Sequence, residues 1–237
     1  MYISCKPVHR KVHVIALQPI GHYDLQEILF IQQQVNSFFK LPVIVRNEIP
    51  MPLSFLNTTK SERYSADSII KWLSHSTPDS VVSVVGVTHE DIFTTISDST
   101  GHIKEPTYKY GVWGIFGLGY CPGKSSVMSD YRLKTNDIKK FQHRLRTVVI
   151  HEIGHNLGLP HCKEKNCIMN DANERIQTVD NSTDNYCNHC KKRIKATGWY
   201  HKPITLYVIR CIESNSRWKI LYPLRFVVTN QNSSNYF

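Results

Sequence analysis

The segment HEIGHNLGLPHCKEKNCIMN, residues 151–170, contains three histidines, two cysteines and a methionine. Imidazole and thiolate are the side-chain ligands that zinc prefers in proteins. Their concentration in one short segment indicates metal binding. It also raises the question whether the segment builds one metal site or contributes to two.

The first half of the segment matches a helical zinc-binding pattern. His151 and His155 are four residues apart, so both imidazoles lie on one face of a helix, about one turn from each other. Glu152 points about 100° away from that face. Gly158 stands just past the predicted end of the helix, where a residue without a side chain allows a sharp turn. The turn can return His161 as a third ligand.

Three neutral histidines leave a fourth position of a zinc ion open, which is typical of catalytic and not of structural zinc. Zinc lowers the pKa of a bound water to about 7. Glu152 is positioned to take the proton of that water as it attacks a carbonyl. The spacing therefore predicts a hydrolytic zinc site with His151, His155 and His161 as ligands and Glu152 as general base.

A second metal site is predicted from the cysteines. The chain has seven cysteines, and four of them fall within one short window: Cys162, Cys167, Cys187 and Cys190. Four thiolates would close the coordination sphere of a structural zinc. His189, inside the second cysteine pair, is an alternative ligand. A redox function for that pair would require a strand-to-helix context, which the sequence lacks.

The complete pattern, His-Glu-x-x-His-x-x-Gly-x-x-His-Cys-x₄-Cys-x-Met-x₁₇-Cys-x-x-Cys, resembles the archaemetzincin signature over its whole length. The resemblance extends more weakly over residues 10–200. It implies a zinc-dependent metallopeptidase with two zinc ions per chain, one catalytic and one structural. It also implies that Met169 forms a Met-turn beneath the catalytic zinc. Some metzincins have a tyrosine two residues after that methionine, where this chain has Asp171.

The resemblance implies an α+β zincin/metzincin fold. Its expected parts are a twisted mixed β-sheet, an active-site helix, a Met-turn and a C-terminal segment held by the zinc of the four cysteines. Hydrophobic patterning predicts strands at residues 11–17, 42–49, 80–88, 112–119 and 125–133. It predicts helices at residues 24–39, 65–75 and 136–157.

Two segments are distinguished along the chain. Residues 1–197 are expected to form the metallopeptidase domain. Residues 198–237 lie beyond the resemblance and are expected to form a C-terminal extension, either a β-hairpin or a loosely attached tail.

Composition narrows the class of protein. Hydrophobic residues make up 41% and charged residues 20% of the 237 residues, as in a soluble globular protein. The basic residues behind the net charge of +10 are scattered, so neither nucleic acid nor a membrane is expected as a partner. The clustered thiols and the lack of a signal peptide predict a cytoplasmic protein, and a monomer is expected.

A peptide substrate needs an exposed strand edge with which its backbone can pair. The candidate for this edge is the strand that precedes the active-site helix: Ser125, Ser126, Val127, Met128 and Ser129. Its serines are polar enough for one side of the strand to stay solvated. The alternative is that these residues form an inner strand.

Two functions are compatible with these patterns. The first is a zinc metallopeptidase acting on peptides or proteins. The second is a zinc-stabilised peptide-binding module with little or no hydrolysis. The presence of Glu152 favours the first, because only a hydrolase needs the general base.

Overall fold

The computed structural model describes residues 13–173 and 175–196. The predicted C-terminal extension, residues 198–237, lies outside the described residues, and so do residues 1–12. The boundary between the two predicted segments stays a prediction.

The described chain contains nine strands and six α-helices. The strands are β1 (Val14–Pro19), β2 (Val43–Val45), β3 (Leu56–Asn57), β4 (Arg63–Ser65), β5 (Val81–Thr88), β6 (Ile92–Thr94), β7 (Trp113–Ile115), β8 (Gly117–Gly119) and β9 (Ser125–Ser129). The helices are α1 (Leu25–Phe39), α2 (Ala66–His75), α3 (Thr107–Tyr110), α4 (Ile138–Asn156), α5 (Ile176–Asp180) and α6 (Asn188–Ala196). The helices predicted at residues 24–39, 65–75 and 136–157 correspond to α1, α2 and α4.

Two mixed sheets organise the fold. The larger has the strand order β2-β1-β5-β9-β8, with four parallel strands and β8 antiparallel to β9. The smaller has the order β3-β4-β6-β7. The predicted mixed α/β architecture is confirmed.

The larger sheet has a hydrophobic core on each face. On one face, Leu17 and Val85 pack with α1 and α4, whose buried residues include Ile31 and Val149. On the other face, α2 packs through residues such as Leu73. Because side chains alternate along a strand, β5 buries nearly all of its residues between these two layers. Each fully buried Leu or Ile side chain stabilises the fold by about 1.5–3 kcal/mol.

Each of the three longer helices begins at a polar side chain that accepts backbone N–H groups. Asp24 accepts hydrogen bonds from two N–H groups of α1, at 2.8 and 3.0 Å. Ser65 caps α2 at 3.2 Å, and Asp137 caps α4 at 3.0 and 3.1 Å. Such caps satisfy donors that the helix itself cannot pair, and each contributes about 1 kcal/mol.

The prediction that Ser125–Ser129 forms an exposed edge is wrong. β9 pairs with β5 on one side and with β8 on the other, and all five of its residues are buried. The sequence predicts that its serines face solvent, but the Ser125 hydroxyl donates to the carbonyl of Ile70 at 2.8 Å and the Ser129 hydroxyl donates to the carbonyl of Glu90. The edge of the sheet on this side is β8.

None of the helices in the described part of the chain combines the length and the apolar character needed to cross a lipid bilayer.

An ion pair fastens α5 to α4. The Arg144 guanidinium donates two hydrogen bonds to the Asp180 carboxylate, at 2.6 and 2.9 Å, and a third to the carbonyl of Leu133 at 2.9 Å. The hydrogen bonds from Arg144 lower the pKa of Asp180. The guanidinium is largely buried, so it depends on this partner.

We therefore predict that Asp180→Asn lowers the free energy of unfolding by about 2 kcal/mol at pH 7. A carboxyl whose pKa is lowered in the folded state stabilises the protein above its unfolded pKa of about 3.9, and this contribution disappears as the pH falls through the folded value. The difference between parent and variant in urea unfolding should hence shrink below about pH 4. A difference that stays constant down to about pH 2.5 would contradict this assignment.

Candidate active site and cysteine cluster

The end of α4 is built as a sharp reversal. Gly158 has a φ of +86°, a conformation that residues with a Cβ rarely adopt. Its N–H donates to the carbonyl of His155 at 2.8 Å, and the N–H of Leu159 donates to that of Gly154 at 3.0 Å. This pair of bonds is the Schellman motif, which ends a helix and turns the chain back. The reversal returns His161 to the face that carries the two helical histidines.

The three histidines converge on one point. The ring centroids are 4.7 Å apart for His151 and His155, 5.3 Å for His151 and His161, and 4.9 Å for His155 and His161. One nitrogen of each ring lies within 4.8 Å of one nitrogen of the other two. Two ligands of one zinc ion lie up to about 4 Å apart when each is about 2.1 Å from the metal. The group is therefore of a size that fits a zinc ion.

Hydrogen bonds fix the two helical imidazoles in a metal-binding form. The Nδ1 atom of His151 lies 2.7 Å from the carbonyl oxygen of Ile168, and the Nδ1 atom of His155 lies 2.7 Å from the carbonyl oxygen of Leu159. A carbonyl only accepts, so Nδ1 carries the proton and the other ring nitrogen is left as a lone-pair donor. Burial lowers the pKa of His151 to about 3 and that of His155 to about 4, so both rings are neutral at pH 7.

Glu152 is buried against β8. Its side chain is so close to Gly117 that a Cβ there would lie 2.5 Å from Glu152 Oε1. The Oε2 atom has no hydrogen-bond partner among the described residues. Burial raises the pKa of the Glu152 carboxyl well above its usual value. A carboxylate in this setting has a high affinity for a proton, which is the property of a general base.

A second glycine brings the same strand against α4. A Cβ at Gly119 would lie 2.9 Å from the carbonyl oxygen of Glu152 and 3.2 Å from the Cβ of His155. Gly117 and Gly119 thus allow the edge strand to lie directly beside the residues of the candidate site. Sequence analysis missed both, because a Gly-x-Gly pair has no specific meaning until its neighbour in space is known.

Met169 is fully buried beneath the last turns of α4. A Cβ at Gly154 would lie 2.5 Å from the Met169 Sδ and 2.9 Å from the hydroxyl of Tyr186. The N–H of Cys162 donates to the carbonyl of Met169 at 2.7 Å, which ties this turn to the segment after His161. Gly154 lies between Glu152 and His155, so Met169 packs against the helical turn that carries both residues, and its role in a Met-turn stays a prediction.

The four cysteines form a separate cluster. The Sγ atoms are 3.7 Å apart for Cys162 and Cys187, and 3.9 Å apart for Cys167 and Cys190, too far for disulfides of about 2.05 Å. Four sulfurs at about 2.3 Å from a tetrahedral zinc are about 3.8 Å from one another. The cluster therefore fits a zinc tetrathiolate, and His189 is not part of the group of converging ligand atoms.

The environment of these sulfurs supports metal binding. Backbone N–H groups point at them: Glu164 N lies 3.4 Å from Cys162 Sγ and Cys187 N lies 3.4 Å from Cys167 Sγ. Burial and then the charge of Cys167 raise the pKa of Cys190. The Cys190 thiol thus resists ionisation without a cation, and a bound zinc would remove this penalty.

Asn156, at the last residue of α4, is a positioning residue that sequence analysis also missed. Its Oδ1 accepts from the Ser83 hydroxyl at 2.7 Å, and its Nδ2 donates to the carbonyls of Ser125 at 2.9 Å and Tyr120 at 3.1 Å. One buried amide thus connects the metal-binding helix with β5, with β9 and with the loop after β8.

A cleft of about 400 Å³ runs along the candidate site. It is lined by all three histidines and Glu152, by Gly117, Leu118 and Gly119 of β8, and by residues 170–173 after the Met169 turn. The Ser125–Ser129 strand does not line it. The edge strand and the candidate metal ligands thus share one open surface.

Comparison with known proteins gives a consistent result. The family model described as "Peptidase family M54" matches residues 29–196, well over half of the chain. The archaemetzincin of Natronomonas pharaonis is 28% identical over 169 residues, covering 68% of this chain and 87% of the relative. The crystal structure of archaemetzincin from Archaeoglobus fulgidus, complexed with malonate, aligns with a TM-score of 0.61 at 25% identity, covering 76% of this chain and 99% of that one.

The archaemetzincin structure from Methanopyrus kandleri aligns with a TM-score of 0.64 at 21% identity, over 79% of this chain and 96% of that one. At this identity the likeness shows the fold. The predicted metzincin-like architecture is thereby confirmed.

The contact between Gly154 and Met169 generates a prediction about packing. We expect Gly154→Ala to destabilise the zinc-saturated protein by about 1–3 kcal/mol, because the added methyl group meets Met169. The steric cost of the added methyl group outweighs the gain of about 1 kcal/mol from the better helix propensity of alanine. In a Met169→Ala background the same substitution should cost at least about 1 kcal/mol less, as measured by urea unfolding of all four proteins in a double-mutant cycle. Strictly additive effects would show that the contact does not limit the packing.

Proposed function

The chain belongs to peptidase family M54, and on this premise we propose that it hydrolyses peptide bonds at a zinc ion held by His151, His155 and His161. The observation that carries the proposal is the convergence of three imidazole nitrogens beside a buried glutamate and a free strand edge. Zinc bound there would polarise the scissile carbonyl and lower the pKa of a water ligand.

Glu152 acts as the general base and then as the general acid. Its carboxylate is held in one place by the glycine of the edge strand and is shielded from solvent. It accepts a proton from the attacking water and delivers that proton to the nitrogen of the leaving amine. The raised pKa of the buried carboxyl supports both transfers, because a weak acid takes a proton readily and can return it to an amine.

The substrate binds as an additional strand on the outer side of β8. The N–H of Ser129 donates to the carbonyl of Phe116 at 2.9 Å, and the N–H of Tyr120 donates to that of Ser125 at 3.1 Å. Antiparallel pairing alternates, so Phe116, Leu118 and Tyr120 face β9, whereas the main-chain groups of Gly117 and Gly119 face outward. No strand among the described residues covers that side of β8. An extended peptide can use these groups with little demand on its side chains.

The cysteine cluster holds a second, structural zinc. Apart from Ile168 and Met169, which directly follow Cys167, the described residues between Cys167 and Cys187 bury few large apolar side chains, with Val179 and Tyr186 the main ones. A metal cross-link compensates for this small core. Because Cys162 directly follows His161, the cross-link also fixes the backbone beside the third ligand of the first zinc.

The reduced cysteines support a cytoplasmic location. Five described cysteines are free thiols, and four of them form the zinc-sized cluster. In an oxidising compartment such a cluster would be prone to disulfide formation. The monomeric state and the absence of nucleic-acid binding stay predictions.

Glu152→Gln tests hydrolysis directly. The variant should keep the zinc content of the parent and lose activity by roughly 100-fold or more, because the amide has the shape of the carboxylate and cannot accept the proton. The measurement is kcat/KM on a mixed peptide library, with metal content determined on the same samples.

The control for this test is Glu62→Gln, which changes an exposed glutamate. It should behave like the parent. If Glu152→Gln retains full activity, the general base is another group. If neither parent nor variant cleaves any peptide, the protein is a zinc-stabilised peptide-binding module.

Pairing with β8 predicts a periodic effect of substrate N-methylation. Each N-methyl group removes one backbone donor, so methylation of alternate residues of a cleaved peptide should raise KM by about tenfold, which corresponds to about 1.4 kcal/mol. Methylation of the intervening residues should have a smaller effect. A scan of singly methylated peptides supplies both sets, and an effect without two-residue periodicity would contradict strand addition.

A further inference from the structure

A third group of metal-binding side chains lies away from the two clusters described above. It consists of Glu27 in the first turn of α1, His89 just after β5 and Asp130 just after β9. One ligand atom from each residue lies within 4.8 Å of one from each of the others. In the described part of the chain only the three-histidine and four-cysteine groups share this property. The group stands at the carboxyl ends of two adjacent parallel strands, where α/β sheets commonly bind ligands.

Two carboxylate oxygens in this group lack partners. Asp130 is fully buried, and its Oδ1 atom has no hydrogen-bond partner among the described residues. Oε2 of Glu27 is likewise buried without one. An ionised carboxylate oxygen that is sealed from both water and donors is costly, so buried charges are normally paired or bound to a metal. Two such oxygens in one cluster require a bound cation or a shared proton between the two carboxyl groups.

The protein itself does not supply enough positive charge here. Asp24 and Glu90 are close in sequence to the group, and the side chains of Arg63 and Arg132 pair with Asp91. Among the described residues, the basic side chain that contacts the carboxylates is His89, whose Nδ1 lies 2.7 Å from Asp130 Oδ2. Burial, followed by the charge of Asp130, raises the pKa of Glu27. Each of these features disfavours two ionised carboxylates without a cation.

A neighbouring tyrosine fixes the orientation of the group. The ring of Tyr23 stacks on that of His89, with centroids 4.1 Å apart and planes 12° apart. Its hydroxyl donates to Asp130 Oδ2 at 3.2 Å, which leaves the unpartnered Oδ1 available. On the far side of the imidazole, the N–H of Asp24 points at Nε2 over a long distance of 3.4 Å. Nδ1 therefore carries the proton that is shared with Asp130 Oδ2, and a divalent ion would release this proton to solvent when it binds Nδ1. An outer layer of this kind is typical of metal sites, because it orients the ligands before the ion binds.

We propose that Glu27, His89 and Asp130 bind a divalent cation, separate from the two zinc ions of the proposed peptidase. Two carboxylates with one imidazole select divalent ions such as Zn²⁺ or Mn²⁺ over soft monovalent ones. Two ligands on one such ion lie about 3–4 Å apart, and the ligand atoms of the group lie within 4.8 Å of one another. The cation joins the start of α1 to the ends of β5 and β9 and neutralises the buried Asp130 carboxylate.

The test compares metal contents. The parent protein, Glu27→Gln and the control Glu62→Gln are saturated with Zn²⁺, dialysed, and analysed for zinc per chain by mass spectrometry. The parent and the control should hold one ion more than Glu27→Gln, whatever the total. The readout is a difference and needs no hydrolysis, so it remains valid if the proposed function fails. His89→Gln, which alters a partly exposed side chain, provides a second variant that should lose the same ion.

A titration with Mn²⁺ completes the experiment. Parent given only two equivalents of Zn²⁺, which the histidine and cysteine sites are expected to take, should bind one Mn²⁺, detected by electron paramagnetic resonance, and both Glu27→Gln and His89→Gln should bind it at least about tenfold more weakly. Equal zinc contents in parent and variants, together with the absence of a parent-specific Mn²⁺ site, would overturn the proposal. In that case Glu27 and Asp130 share a proton in place of a metal.

Discussion

The structure of the candidate site depends on one chain reversal. At Gly158 the backbone adopts a positive φ, and two hydrogen bonds close the end of α4. Three residues later the chain presents His161 to the helical histidines, and the next residue, Cys162, to the cysteine cluster. A single peptide bond thus separates the ligands of two predicted metal sites. The hydrogen bond from Cys162 N–H to the Met169 carbonyl joins the same reversal to the floor of the site. Any shift of this turn would displace ligands of both groups together.

Close packing against α4 is the second constraint. Gly117 and Gly119 bring the edge strand into contact with Glu152, and Gly154 allows Met169 to pack directly against α4. Each contact requires the absence of a Cβ. Each brings a backbone or a side chain next to the proposed general base and metal ligands. The result is a site built on a helix and a strand, which hold side chains more rigidly than loops do. This rigidity suits a reaction in which the general base, the metal ligands and the substrate backbone must keep fixed distances.

The features that could be predicted from sequence are those encoded by short-range spacing. His151, Glu152 and His155 occupy one helix, and Gly158 signals where it ends, so local geometry determines their arrangement. The edge strand could not be obtained this way, because strand order is set by long-range pairing. The serines of Ser125–Ser129 predict an exposed strand, yet two of their hydroxyls donate hydrogen bonds to main-chain carbonyls inside the fold. Glu27, His89 and Asp130 come from three distant parts of the chain and share no motif. Only the fold brings them together.

The central claim is that the chain holds two zinc ions with different ligands, one bound by histidines and one by cysteines. X-ray absorption at the zinc edge measures these ligands directly. The sample is dialysed Glu27→Gln protein, because this substitution removes any zinc bound by the group of Glu27, His89 and Asp130. We predict two zinc ions per chain, with an averaged shell of about two sulfurs at about 2.3 Å and about two lighter atoms at about 2.0–2.1 Å per zinc. A spectrum with sulfur ligands alone, or with none, would contradict it.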